Sequence, residues 1–176
     1  HYDPMLAKVI AWGHNRDEAR RRLIRALEDT TVFGVTTNRH FLSRIIANDT
    51  FGAGEATTAF LQQAFSDDPS LQPQNLTIRQ LALAACVLDH GISGQSAWSN
   101  APATMTPIKL ETGETTVELL VTRSGNRLSV SMGESRHSLV LESQRDGLLC
   151  IIDNGVRQTC QYHRQGDSLY LQAFGQ

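Results

Sequence analysis

Residues 77–90 read TIRQLALAACVLDH, and this stretch decides how the rest of the chain can fold. Thr77 followed three residues later by Gln80 is the pattern of a capping box at a helix start. His90-Gly91 supplies a helix stop, with glycine in the position that often turns left-handed. Between these signals Leu81, Ala82, Leu83, Ala84, Ala85, Cys86, Val87 and Leu88 form an unbroken apolar run. A surface helix needs one apolar stripe, whereas a helix apolar all round must be covered on nearly every side. The run is too short to span a bilayer. Cover must therefore come from the protein itself or a partner, and the material in this chain is the strand-rich run downstream.

From about Lys109 onward the pattern has a period of two. Val117, Leu119 and Val121 alternate with Thr116, Glu118 and Thr122, and Leu128, Val130 and Met132 alternate with Arg127, Ser129 and Ser131. The alternation continues through Leu139 and Leu141, then Leu148, Cys150 and Ile152, then Val156, Cys160 and Tyr162, then Leu169, Leu171 and Ala173. Ser124-Gly125, Gly133-Glu134, Asp146-Gly147, Asp153-Asn154-Gly155 and Gly166-Asp167 are hairpin punctuation. The expectation is an antiparallel meander of six or seven strands, curled or closed into a barrel around the apolar helix. The fold class is α+β.

Upstream, residues 5–12 (MLAKVIAW) read as a buried strand and residues 31–35 (TVFGV) as a second. Between them Asn15 and Glu18 form a capping-box pair. Ala19, Leu23 and Leu27 make an apolar stripe, and Arg20, Arg21, Arg22 and Arg25 make a solvated face. A cap at Thr37 or Asn38 opens a helix carrying Phe41, Leu42, Ile45 and Ile46. Residues 51–54 read as a turn, and residues 58–65 as a short helix. Residues 1–66 are thus a small α/β piece. The polar, proline-bearing stretch that follows, with Asp67-Asp68 as a solvated pair, opens a second domain at 67–176.

The charged fraction is 19%, the apolar fraction 40% and the formal charge −2, values of a soluble globular chain with no electrostatic case for nucleic acid or an anionic membrane. Cys86, Cys150 and Cys160 have no CxxC spacing and read as reduced, buried thiols. The six histidines show no metal-ligand spacing. There is no Walker or dinucleotide glycine loop and no GxSxG serine. Residue chemistry alone describes a segment without an active site of its own.

Two stretches carry a family likeness. Residues 2–10 (YDPMLAKVI) followed by Asn15-Arg-Asp-Glu-Ala19, and then Phe33-Gly-Val-Thr-Thr-Asn38, Phe41-Leu42 and Phe51-x-Ala-Gly54, resemble the carboxy-terminal part of biotin carboxylase domains. That resemblance implies an ATP-grasp enzyme that uses ATP, Mg²⁺ and bicarbonate to carboxylate biotin, with several of its ligands upstream of the Tyr-Asp-Pro-Met motif. Asp3 would then lie nearest the biotin pocket in a supporting role. Residues from about 70 onward are similar in layout to the connecting domain of acyl-CoA carboxylase α subunits, in which a barrel surrounds a helix and docks the carboxyltransferase β subunit. Trp98, Asn100 and Pro102 fall where that family has a partner-hooking loop. No Ala-Met-Lys-Met biotinylation motif is present.

The resemblance therefore implies a piece of a longer α subunit, of the 3-methylcrotonyl-CoA or geranyl-CoA type. It would bind no cofactor itself, and its partners would be the carboxyltransferase β subunit and the biotin carrier domain of the same subunit. Its place would be the cytoplasm, or the mitochondrial matrix in a eukaryote. The alternatives are a barrel that encloses a small apolar ligand and a stand-alone adaptor module.

Overall fold

The computed structural model describes residues 4–72, 76–93, 104–113, 115–145 and 147–173. The chain divides into two compact units, His1–Gln74 and Asn75–Phe174.

The first unit is helical: α1 (Arg16–Asp29), α2 (Arg39–Ala47), α3 (Asp49–Ala53) and α4 (Phe60–Phe65), then a single 3-10 turn at Pro69–Leu71. Asn15 caps α1 as expected, its side chain accepting from the Glu18 amide, while Glu18 accepts from the His14 amide at 2.8 Å. Neither expected strand forms among the described residues. Residues 5–12 and 31–35 are irregular, and Met5, Leu6, Ile10 and Trp12 are each about two-thirds exposed or more. A strand exists only through the neighbour that pairs its amides and carbonyls. Among the described residues neither run enters a sheet, so apolar composition alone does not make a strand here. The expected turn at 51–54 is instead the short helix α3, which ends on Gly54.

Two arginines tie α1 to α2. Arg20 reaches the C-terminal end of α2, donating from Nε to Ile46 O (3.0 Å) and from Nη2 to Ala47 O and Asn48 O. Arg39, at the start of α2, donates to Leu27 O, Glu28 O and Thr30 O at the end of α1. A guanidinium at a helix C-terminus satisfies carbonyls that have no intrahelical donor and opposes the negative end of the dipole. Arg20 is thus not part of a solvated face, and a Cβ at Gly52 would collide with its guanidinium. Asp68 is likewise not a solvated linker residue. It is buried, takes a two-pronged ion pair from Arg44 and accepts from the Ser70 amide and hydroxyl. The Arg44 and Ser70 hydrogen bonds hold its carboxyl at about 2, below the ordinary 3.8.

The second unit is α5 (Ile78–Ser93) followed by seven strands: β1 (Thr104–Thr112), β2 (Thr115–Ser124), β3 (Arg127–Met132), β4 (Ser135–Arg145), β5 (Leu148–Asp153), β6 (Val156–Gln165) and β7 (Ser168–Gln172). All are antiparallel and paired in chain order, so the meander is as expected. It begins five residues earlier than its first clear alternation. Among the described residues no pairing joins β1 to β7, so the sheet is curled but not hydrogen-bonded into a closed barrel.

The capping box at α5 is formed: the Thr77 amide donates to Gln80 Oε1 at 2.9 Å, and the Gln80 amide donates to Thr77 Oγ1. The helix does not stop at His90-Gly91. It continues through Gly91 to Ser93, because glycine permits a left-handed ending without compelling one. No residue from Ile78 to Asp89 is exposed. Leu81, Leu83, Cys86 and Val87 share one core with Leu119, Val121, Leu128, Val130, Leu139, Leu149, Ile151 and Cys160, which brings in the inner faces of β2 to β6.

The strand faces follow the expected alternation except in β5 and at its turn. Leu149, Ile151 and Asp153 point inward, while Leu148, Cys150 and Ile152 lie on the other face, and Val156 is exposed at the hairpin end. The turn is the cause. Asn154 and Gly155 both take positive φ (50° and 79°), giving a two-residue hairpin that sets Asp153 directly opposite Val156. Partners opposite one another share a face, so an inward Cys160 requires an inward Asp153. In β4 a bulge between Leu141 and Ser143 turns Glu142 and Ser143 both outward and brings Gln144 inward opposite Leu149.

Candidate functional site

Among the described residues, the polar side-chain contacts between α5 and the sheet lie toward the two ends of the helix. Toward its N-terminus, Asp153 is fully buried at the inner end of β5. Arg79, in the first turn of α5, donates from Nε to Asp153 Oδ2 and from Nη2 to Gln158 Oε1 on β6 (3.1 Å). His137 on β4 places Nε2 2.8 Å from Asp153 Oδ1. Leu139 is the residue directly opposite Asp153, which makes His137 its diagonal neighbour on the same face. Each carboxylate oxygen thus has its own nitrogen partner. A buried carboxylate is tolerated only when paired in this way.

Toward the other end of the helix, Arg123 on β2 donates to Asp89 at 2.8 Å, with both side chains more than four-fifths buried. Gln144 donates to Tyr162 Oη at 3.1 Å and, more weakly, to Val87 O at 3.5 Å. The helix is therefore pinned toward both ends to strands β2, β4, β5 and β6, with a buried apolar segment between. Pinning of this kind fixes the rotation and depth of an otherwise featureless apolar rod, which dispersion alone specifies poorly.

The three cysteines differ. Burial pushes the Cys86 thiol up to about 12 and the Cys160 thiol up to about 11. Cys150 is not buried in the core: it lies on the opposite face of β5, where hydrogen bonds from Thr159 and Ser143 lower its pKa. All three are free thiols.

The residues singled out from the sequence, Asp3, Trp98, Asn100 and Pro102, lie outside the described residues. The Arg79–Asp153–His137 cluster escaped the sequence reading because its members are 16 to 74 positions apart. One signal was available. An Asn-Gly turn at 154–155 already forces Asp153 onto the face of Cys160, and a buried aspartate demands a cation from elsewhere in the chain.

The comparisons with known proteins bear mainly on the opening third of the chain. Residues 1–63 match the family model of the biotin carboxylase C-terminal domain. Among individual relatives, the α subunit of mitochondrial methylcrotonoyl-CoA carboxylase from Arabidopsis thaliana is 42% identical over 67 residues, 38% of this chain and 9% of that protein. Biotin carboxylase of Halalkalibacterium halodurans is 48% identical over 60 residues, 34% of this chain and 13% of that protein. Pyruvate carboxylase of Pichia angusta is 37% identical over 97 residues, 54% of this chain and 8% of that protein. The first third of the chain is thus homologous to the biotin carboxylase C-terminal domain found in biotin-dependent carboxylases. The chain spans between 8% and 13% of the length of these three relatives.

Proposed function

We propose that this chain is a segment of the α subunit of a biotin-dependent acyl-CoA carboxylase, joining the end of the biotin carboxylase domain to the connecting domain that docks the carboxyltransferase β subunit. The observation that carries the reading is an order of parts. A stretch homologous to the biotin carboxylase C-terminal domain is followed directly by an apolar helix that shares its core with a seven-stranded antiparallel meander. The exposed apolar runs of the first unit also support it. Leu6, Val9, Ile10, Val32 and Val35 are strand-forming in type, exposed, and in no strand among the described residues, as expected of segments whose sheet neighbours lie in the rest of the carboxylase domain.

On this reading the helix fills the interior of the curled sheet, and the second unit is a rigid docking body. The intact enzyme would carboxylate biotin with ATP, Mg²⁺ and bicarbonate. It would then carry the biotin to an acyl-CoA such as 3-methylcrotonyl-CoA or geranyl-CoA at the β subunit. Among the described residues no group of three or more His, Cys, Asp or Glu side chains could hold a metal. The contribution we propose for this segment is mechanical. Holding two reaction centres in one assembly turns a diffusive encounter of the carried biotin into one set by effective concentration. Among the described residues no helix is long and apolar enough to cross a membrane. A β-barrel enclosing a small apolar ligand is disfavoured because Leu81, Leu83 and Val87 already occupy the core that such a ligand would need.

The test is reconstitution of the chain with a purified carboxyltransferase β subunit of an acyl-CoA carboxylase. Co-elution on size exclusion is expected, without bicarbonate-dependent ATP hydrolysis by the chain alone and without streptavidin-detectable biotin on it. Failure to co-elute with any β subunit of the class would remove the docking role, and a bicarbonate-dependent ATPase in the pure chain would remove the division of labour.

A further inference from the structure

We draw no further inference here: the strongest candidate, the exposed apolar run of Met5, Leu6, Val9, Ile10 and Trp12 on the helical unit, carries nothing beyond the proposed carboxylase-domain contact, because nothing in the structure shows what covers it.

Discussion

Replacing Arg79 by methionine isolates what the ion cluster beneath α5 contributes. Methionine keeps much of the aliphatic stem and removes the guanidinium that meets Asp153 and Gln158. Asp153 has no exposed side-chain surface, so water cannot replace the lost donor without opening the sheet. Breaking one side of a fully buried pair costs about 3–5 kcal/mol. Two features lower the figure: the Arg79 side chain is 36% exposed, and His137 still faces the other carboxylate oxygen. A loss of about 2–4 kcal/mol is expected, a roughly 30- to 900-fold rise in the opening equilibrium. The readout is native-state hydrogen exchange at the α5 amides from Leu81 to Val87, which follows opening of this unit without requiring the whole chain to unfold in one step. Asp153→Leu combined with Arg79→Met should recover a large part of that loss, because carboxylate and guanidinium are removed together and only the His137 Nε2 partner is left unmet. If the double variant is as destabilised as the two single changes added together, the two residues are not coupled and the argument fails.

Leu83→Ala, at a fully buried position in the same core, should cost about 2–5 kcal/mol in α5 exchange, whereas Leu120→Ala on the exposed side of β2 should stay within about 0.5 kcal/mol. Equal effects would mean that the two sheet faces have been misassigned. The Asp68 carboxyl should titrate near 2 by NMR and move toward 3.8 in Arg44→Gln. Its folded-state pKa is depressed, so its contribution to stability is fully present above about pH 4 and is lost as pH falls through about 2. An unchanged titration in Arg44→Gln would show that the ion pair is not the cause. In the native protein at neutral pH, N-ethylmaleimide should modify Cys150 well before Cys86 or Cys160, as followed by intact mass and peptide mapping. Early labelling of Cys86 would place α5 outside the core.

Much of this architecture is legible in the amino-acid order because it depends on local rules. The Asn15 cap of α1, the Thr77/Gln80 capping box, the period-two alternation and the glycine-bearing turns each involve residues a few positions apart. The absence of any polar face between Leu81 and Leu88 was enough to require that α5 be covered. The opening sixty-odd residues also carried their family likeness in plain view.

What composition could not settle was pairing. Residues 5–12 have the makeup of a strand and are not one here, since strand formation depends on a neighbour. Residues 148–152 (LLCII) are apolar in both phases, and either face could have turned inward. The Asn154-Gly155 turn and the partners of Asp153 decided it. The arginines of α1 gave no sign that Arg20 leaves the solvated face to cap a second helix 26 to 28 residues away.

The chain order by itself determined that an apolar helix must be sheltered and that a meander would follow it. Helix caps, turns and periodicity act over distances the sequence displays directly. Only the tertiary structure decided that the helix is held at both ends by ion pairs and that an aspartate lies inside the sheet. A buried charge is stable only beside an opposite one brought from far along the chain, and that meeting exists only once the backbone has closed on itself.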